Sequence, residues 1–572
     1  MDFQRSLLIG AIAVLSFMLL TEWVSFKDAR TAEATPTSAR LTSQNPVTTE
    51  PTPAIVDTPS TITTDIDDEI PTAMDSPAAQ AAVNESTDSI TGSGDIVSVY
   101  TDSLRVAIDL NGGDIVELAL PGFLEKLDTP DVPFVLLENN AERVYIAQSG
   151  LIGPNGTDSN GRAQFSADAM TYELADGDDT LVVELTAKDS PGAKVTKRYT
   201  FTRGNYLIEV DYLVENTGDA RWQANLFGQI KRDSSVAPSS DSSGMGMQPF
   251  LGAAITQPDE RFTKFSFEDM AEEPFKAQLP GGWIAMIQHY FLGAWIPAPD
   301  QSHTYSTRVT RGGFNIAGFT SPAQGIDPGQ SGQFSARFYA GPKDQYRLEE
   351  ISPYLDLSVD YGWLWWIAQP LFWLLTKIYA FVGNWGFAII LLTVVIKAAF
   401  FKLSATSYKS MANMRRVQPK MQDIREQYAE DKQKQSQAMM ELYRKEKINP
   451  MGGCLPILVQ MPVFIALYWV LMESVELRHA PFILWIHDLS VMDPYFVLPL
   501  MMGASMWFMQ KLNPPPPDPM QAKIMQWMPV MFTFFFLWFP AGLVLYWVVN
   551  NLLSMTQQYI ITRQIENAAA AQ

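Results

Sequence analysis

The sequence predicts a multi-domain protein in which a polytopic α-helical membrane bundle of six transmembrane helices carries a large exported antiparallel β-sandwich. Two patterns and the distribution of charge support this fold class. The C-terminal third contains apolar runs of about 20 residues, the length that a helix needs to cross the hydrocarbon layer. Residues 95–342 instead alternate apolar and polar positions, with Gly, Pro and Asp between the runs, as strands and turns require.

The distribution of charge predicts which parts face each side of the membrane. Between Asp28 and Gly362 the chain has 48 acidic and 22 basic residues, whereas between Lys402 and Pro450 it has 11 basic and 6 acidic residues. Short basic loops stay in the cytoplasm, while large domains can be exported. We therefore expect the acidic half outside the cytoplasm and the basic segment inside it.

Residues 1–27 contain the first apolar run and predict an N-terminal transmembrane anchor that starts in the cytoplasm. A cleaved signal peptide is the alternative, because Ala32-Glu33-Ala34 resembles a cleavage site. Residues 28–94 consist mostly of Thr, Pro, Ala, Ser and Asp, with hardly an aromatic residue. Such a composition buries too little apolar surface to offset the entropy of ordering, so we predict a disordered tether.

Residues 95–342 are predicted to form the β-sandwich. In the segment NYLIEVDYLVEN, one face is apolar and the acidic side chains point the other way. The domain has no G-x-S-x-G, H-E-x-x-H or Walker A motif, and its two histidines, His289 and His303, are isolated, which favours structural roles over catalysis. We interpret the domain as a binding or scaffolding module, with a carbohydrate site made of acidic pairs as the alternative.

Residues 343–383 are predicted to form an amphipathic segment in the membrane interface. The part from Trp363 is apolar enough to span a membrane, but it contains Gln369, Pro370 and Lys377 among clustered tryptophans. Trp and Lys are enriched where a helix lies at the membrane surface. A single crossing after the exported domain also leaves the basic segment in the cytoplasm.

Residues 384–403 are predicted to form a transmembrane helix that contains a cation, Lys397. A Lys near the centre of such a helix costs roughly 2.5 to 3.5 kcal/mol, so it usually faces a water-filled cavity or a polar partner. Thr393 lies one turn earlier on the same face. The alternative is snorkelling, in which the aliphatic stem carries the ammonium group to the headgroups.

Residues 404–450 are predicted to form a cytoplasmic helical hairpin. Met414, Val417 and Met421 belong to an apolar seam on the first helix, and Met439, Met440 and Tyr443 supply the returning face. A solvated charged face accounts for most of the cations. A basic arm at the membrane could also contact lipid headgroups, a ribosome or an acidic partner. The candidate contact residues on this arm are Arg415, Arg416, Lys420 and Arg425.

Residues 451–567 are predicted to supply four further transmembrane helices, followed by a short cytoplasmic tail, 568–572. Polar side chains recur on three of these helices and favour a shared hydrated interior. The alternative is ordinary hydrogen bonding between helices, worth about 0.6 kcal/mol on average. The polar and aromatic candidates are Gln460, Gln510, Tyr546, Trp547 and Asn550.

Four segments resemble the YidC family of membrane protein insertases in its Gram-negative form: NWGFAIILLT, INPMGGCLPILVQMPVF, APFILWIHDLSVMDP and FFFLWFPAGLVLYWVVNN. The resemblance extends over essentially the whole chain. It implies a bacterial inner-membrane protein with both termini in the cytoplasm and the large domain in the periplasm. It also implies a non-enzymatic insertase and chaperone for nascent inner-membrane proteins, which uses a hydrated, cytoplasm-facing groove without cofactor, metal or catalytic residue.

The resemblance also implies partners and site residues. The partners are nascent membrane proteins, the Sec translocon, the ribosome and membrane lipids, without sequence-specific nucleic-acid binding. The groove cation, usually Arg, falls on Lys397, which keeps the charge but not the bidentate fork. The family's groove Thr matches Thr393, and its aromatic pair matches Tyr546 and Trp547. Many relatives have a basic C-terminal tail for the ribosome, whereas this chain ends ENAAAAQ, so we expect the hairpin to make that contact.

Two other classes of protein fit parts of the sequence. A secondary transporter needs inverted repeats and paired ionisable sites, but the predicted helices contain one embedded Lys without a carboxylate partner. A membrane-anchored periplasmic protein that binds or modifies carbohydrate would have its site within the β-sandwich.

Overall fold

The computed structural model describes residues 70–71, 95–235, 249–446, 455–512 and 519–570. The predicted anchor and tether fall outside the described residues, apart from 70–71. So do the last residues of the hairpin segment, 447–450, and the side chain of Arg415.

Twenty strands are described within the sandwich region. They are β1 (Ile96–Tyr100), β2 (Arg105–Asp109), β3 (Asp114–Leu124), β4 (Pro133–Asn139), β5 (Val144–Ile152), β6 (Phe165–Ala167), β7 (Thr171–Glu173), β8 (Thr180–Ala187), β9 (Ala193–Thr202), β10 (Leu207–Asn216), β11 (Trp222–Arg232), β12 (Gly252–Ile255), β13 (Thr263–Ser266), β14 (Lys276–Pro280), β15 (Ile284–Ile287), β16 (Phe291–Pro297), β17 (Ser302–Val309), β18 (Asn315–Thr320), β19 (Gln324–Ile326) and β20 (Ser331–Pro342).

The strands form two sheets packed on one core. The first sheet has the order β14-β17-β18-β11-β5-β4-β3-β2-β1-β7, with β19 also paired to β11, and the second has the order β13-β12-β15-β16-β20-β10-β9-β8-β6. The predicted sandwich is therefore confirmed. Its strand pairs are antiparallel except for β1 with β7, which is parallel.

Strand β10 shows how the alternating sequence produces this packing. Ile208, Val210, Tyr212 and Val214 are all at most 1% exposed, whereas Glu209 on the opposite face is exposed. Neighbours on both sides pair with β10 through regular antiparallel registers, so the apolar face is fixed toward the core. Period-two alternation with one buried face is what an antiparallel sandwich requires.

Ten α-helices are described. They are α1 (Phe267–Glu272), α2 (Gln345–Ile351), α3 (Trp365–Val382), α4 (Trp385–Ala399), α5 (Phe401–Gln427), α6 (Lys432–Lys445), α7 (Leu455–Glu473), α8 (Val497–Leu512), α9 (Pro519–Phe535) and α10 (Ala541–Ala570). Short 3₁₀ helices lie at Leu355–Ser358, Gly362–Leu364, Val475–Leu477 and Phe536–Trp538.

Helices α3, α4, α7, α8 and α10 share a second apolar core, separate from that of the sandwich. Within the described ranges, no helix taken alone combines the length and the apolar composition needed to cross a membrane. Helices α4 and α5 meet this requirement only as a pair, which is bent by 67°. The six crossings therefore stay a prediction.

The turn between α3 and α4 explains why the two helices pack side by side. Gly383 ends α3 with a positive φ of 69°, a conformation that costs Gly little, and Asn384 caps α4 by accepting a hydrogen bond from the Phe387 amide at 3.1 Å. The rings of Tyr379 and Trp385 then stack at 4.0 Å across the turn. On α3, Ala368 and Phe372 face the core. The exposed residues on and just before it include Trp363, Trp365, Trp366 and Trp373.

Candidate functional site around a buried lysine

Lys397 lies in the last turn of α4, which ends at Ala399 rather than continuing to Leu403 as the sequence predicts. The residue is 8% exposed. A cation in the last turn interacts favourably with the negative end of the helix dipole. The end of α4 therefore tolerates this charge better than its centre would.

The ammonium group of Lys397 binds side chains from two other helices. Its Nζ donates to Ser554 Oγ on α10 at 2.7 Å and to Gln460 Oε1 on α7 at 3.4 Å. The Ser554 hydroxyl in turn donates to the Asn550 carbonyl one turn earlier, at 2.7 Å. Both partners of the cation are neutral, and no ion pair among the described residues includes Lys397.

Thr393 is close in sequence but does not join this cluster. Its hydroxyl donates to the Ile389 carbonyl of the same helix at 2.7 Å, and the residue is 1% exposed. The Thr hydroxyl is thus satisfied within α4. The polar stripe predicted from the i, i+4 spacing is present on the helix face, but only Lys397 reaches across to its neighbours.

The aromatic pair on α10 packs against α7 and against the 3₁₀ helix that follows α9. Phe464 stacks on Tyr546 at 6.1 Å and meets Trp547 edge-on at 4.4 Å, while Phe536 lies 5.5 Å from Trp547. Tyr546 is 3% exposed. The indole Nε1 of Trp547 is buried without a hydrogen-bond partner among the described residues, so its N–H is available to donate to an acceptor that enters the site.

Gln510 lies apart from the lysine cluster. Its side-chain amide donates to the Met525 carbonyl and so links α8 to α9. Nearby in the bundle, Asn551 Nδ2 donates to Ser505 Oγ at 3.0 Å and links α10 to α8. These two contacts are the ordinary interhelical hydrogen bonds that the sequence left open as the alternative.

Two members of the cluster were not among the predicted site residues. The sequence does place Ser554 on the polar face of α10, one turn after Asn550, but gives no sign of its contact with Lys397. Tyr408, whose side chain lies close to that of Ser554, gave no such signal. It arrives through the bend between α4 and α5, and neither Pro nor Gly marks that bend in the sequence.

The basic segment contains two described helices, α5 and α6, with an apolar seam of Val417, Met421 and Leu442 between them. Met440, predicted on the returning face, is instead 57% exposed, because Leu442 packs in the seam. Of the predicted contact residues, the three whose side chains are described, Arg416, Lys420 and Arg425, lie outside the seam. Lys420 pairs with Glu446 at 2.7 Å, and Arg416 Nη2 lies 4.0 Å from the same carboxylate. Arg425 is half-buried, and its carbonyl accepts from Gln435 Nε2 at 3.4 Å.

Comparison with known proteins gives the family. The model of the YidC periplasmic domain matches residues 96–374, and that of the 60Kd inner membrane protein matches residues 377–568. The chain is 52% identical to the membrane protein insertase YidC of Cellvibrio japonicus, over 99% of each chain, and 52% identical to that of Azotobacter vinelandii over the full length of both. A solved structure described as an active YidC insertase with its first transmembrane domain resolved shares 18% identity with a TM-score of 0.36, over 82% of this chain and 92% of the other. On the two matches and the full-length identities, the chain belongs to the YidC family of membrane protein insertases.

Proposed function

We propose that this inner-membrane insertase receives nascent membrane proteins in a hydrated groove that faces the cytoplasm and carries the Lys397 cation, alone or together with the Sec translocon. Family membership makes the chain a membrane protein insertase and not an enzyme. The groove, its opening and its partners are the parts that we infer.

The observation that carries the proposal is the chemistry around Lys397. A buried ammonium group is costly unless it is paired, and here its partners are two neutral side chains on different helices. Its charge therefore stays available to an incoming carboxylate. The bond to Gln460 is the longer of the two at 3.4 Å, so a client carboxylate would replace Gln460 more readily than Ser554.

The physical problem for an insertase is the polar flank of its client. Backbone and charged groups lose their water when they cross hydrocarbon, at a cost of several kcal/mol each. A groove that brings water and a cation partway across shortens the dry path. An acidic flank would be drawn toward Lys397, while the apolar segment moves sideways into lipid and gains about 25 cal/mol for each Å² of apolar surface removed from water.

Several exposed apolar side chains on α8 and α9 support this lateral exit. Leu500 and Phe508 on α8 are 60% and 53% exposed, and Trp527 and Phe534 on α9 are 69% and 60% exposed. Surfaces of this kind are stable against lipid but not against water. No nucleotide is needed, because burial of the client supplies the driving force.

We assign the surroundings of the groove by the same reasoning. The exposed tryptophans on and before α3 suit a segment lying at the membrane surface, next to a β-sandwich in the periplasm, with both termini in the cytoplasm. On the α5–α6 hairpin, Arg416 and Lys420 have side chains 66% and 62% exposed and are available to the ribosome or to anionic lipid.

The decisive experiment is photocrosslinking to a stalled nascent membrane protein from probes placed at Thr393, Lys397 and Trp547. We expect crosslinks from all three positions. A probe at Val182, an exposed position on β8, is the control and should give none. Equal labelling from Val182, or no labelling from the three bundle positions, would contradict a client groove at this site.

A further inference from the structure

A buried ion pair joins the β-sandwich to the helical bundle. Lys343 follows the last strand, β20, and Glu473 is the last residue of α7. The Lys343 Nζ lies 2.6 Å from Glu473 Oε2, and both side chains are 3% exposed. The two residues are 130 positions apart in the chain, so this contact is tertiary.

Three further contacts hold the same end of α7 against the sandwich. His289 Nε2 donates to the Met472 carbonyl at 2.9 Å, and Val475 lies in the core of the sandwich at 5% exposure. Arg478 donates to the Glu125 carbonyl at 3.0 Å. The sandwich thus satisfies a terminal carbonyl of α7, pairs its terminal carboxylate and buries the residues that follow.

The protonation state of His289 is consistent with its hydrogen bond to the end of α7. Burial, together with the charge of Lys343, lowers the pKa of His289 to about 3, so the ring is neutral. Because a carbonyl can only accept, the proton of the neutral ring lies on Nε2. A second positive charge beside Lys343 is thereby avoided, and the Lys343 amine is the direct ion-pair partner of Glu473.

Helix α7 connects this junction to the candidate site. Gln460, which accepts from Lys397, lies 13 residues before Glu473 on the same helix. At 1.5 Å per residue the two positions are about 20 Å apart along the axis. A shift or rotation of the Glu473 end therefore moves Gln460 relative to Lys397.

We propose that Lys343 and Glu473 are positioning residues of the insertase: the ion pair fixes α7 against the β-sandwich and so sets the distance between Gln460 and Lys397. This inference rests on the proposed function for its biological meaning, since it assigns the sandwich a role in shaping the groove. Removing one partner of a buried pair leaves an uncompensated charge, whereas replacing both by apolar side chains of similar volume is often tolerated.

The test is a double-mutant cycle with a distance readout. The variants are Lys343→Met, Glu473→Met and the double variant, in a background with Cys454→Ser. The readout is the yield of bismaleimide crosslinking between cysteines at 397 and 460, per folded molecule in membranes. We expect each single variant to lower the yield by roughly fivefold and the double variant to restore most of it.

The exposed pair Lys264–Asp360 is the matched control. It also joins the sandwich to the segment that leads into the bundle, with 2.5 Å between its charged atoms, but its side chains are 40% and 27% exposed. Exposed pairs contribute little, so Lys264→Met and Asp360→Asn should leave the crosslinking yield unchanged. If the Lys343–Glu473 pair only stabilises the fold, its single variants should give fewer folded molecules, and the crosslinking yield per folded molecule should stay unchanged.

The outcomes separate this inference from the proposed function. Unchanged yields in both single variants, or a double variant whose loss equals the product of the single losses, would overturn the positioning role. Insertion of an acidic-tailed client by Lys397→Gln, measured alongside in a chain without the added cysteines, tests the groove charge itself. Normal insertion by Lys397→Gln would contradict the proposed role of the groove charge, while the crosslinking result would still be valid.

Discussion

Besides Lys343, the described part of the protein buries Lys197 in strand β9 of the sandwich and Lys397 at the end of α4, and these two amines have opposite kinds of surroundings. Lys197 is 0% exposed, and its Nζ donates to the carbonyls of Gly112, Gly113 and Ser149 at 3.2, 2.8 and 3.3 Å. Lys397 has two neutral side-chain partners, each from another helix.

The charges nearby make the contrast sharper. Next to Lys197, Arg162 pairs with Asp114 and with Asp158, so this cluster holds two cations and two anions. Lys397 has no such balance among the described residues. A balanced, rigidly bonded amine is a part of the fold, whereas an unbalanced one held by movable side chains can exchange partners. We therefore expect substitution of Lys197 to affect folding and substitution of Lys397 to affect function.

The largest expected effect is that of Lys197→Met. It removes three hydrogen bonds and leaves the buried cluster with one excess negative charge, which should destabilise the sandwich by about 3 kcal/mol or more. Hydrogen exchange of the β9 and β10 amides in the full chain measures this loss. Lys194→Met, at an exposed position on the same strand, is the control. Equal effects from the two substitutions would contradict a structural role specific to the buried Lys197.

The pH dependence of stability tests the same residue without a large structural change. Burial lowers the pKa of Lys197 to about 7, against the opposing pull of Asp114. Between this value and the ordinary 10.5, the unfolded chain binds one more proton than the folded chain. The free energy of unfolding therefore rises with pH in that window, by up to about 1.4 kcal/mol per unit.

We expect that slope to appear as a difference between the wild-type chain and Lys197→Met when hydrogen exchange is followed from pH 7 to 8.5. Below pH 7 the contribution should be flat, because the amine is protonated in both states. Parallel pH profiles for the two chains would show that Lys197 does not titrate with folding.

Lys397→Met should leave the stability of the sandwich unchanged but lower the insertion of clients with acidic exported tails by roughly tenfold, the size of one charge-assisted hydrogen bond. Lys397→Arg keeps the charge and should retain most activity. Clients with neutral tails are the internal control. If insertion of acidic and neutral tails falls equally, the charge of Lys397 has no specific role.

The smallest effect should come from the partners of Lys397. Gln460→Leu removes the longer bond and leaves the ammonium group freer, so we expect insertion of acidic-tailed clients to change by no more than about threefold. Ser554→Ala removes the 2.7 Å bond and should have the larger effect. The ratio of insertion rates for the two variants shows which partner matters more. A larger effect from Gln460→Leu would make Gln460, not Ser554, the more important partner of Lys397.

Much of the architecture could be predicted from the sequence, because it follows from local patterns. The alternation in β10 places Ile208 and Tyr212 inside, and the apolar spacing of the hairpin places Val417 and Met421 in its seam. The position of Lys197 could not be predicted so readily, since it lies inside with Val195 and Tyr199 on a face where the alternating pattern alone would have an apolar residue.

The candidate site was predictable as a set of residue types but not as a geometry. The i, i+4 spacings placed Thr393 beside Lys397 and found the polar face of α10, yet Thr393 turns to its own backbone. The end of α4 at Ala399 and the bend that brings Tyr408 to Ser554 depend on packing among distant helices. The ion pair of Lys343 with Glu473 also depends on tertiary packing, because no local pattern in the sequence indicates that these two residues come together.

The spacing of the Lys397 partners along the chain has a consequence for how the protein is made. Gln460 follows Lys397 by 63 residues and Ser554 by 157. At a synthesis rate of about 5–20 residues per second, the ammonium group waits roughly 8 to 30 seconds after its own translation before the Ser hydroxyl is translated. A nascent copy therefore passes through a stage in which this ammonium group lacks its final partners, and lipid, water or another protein must solvate the charge until the last helix is made.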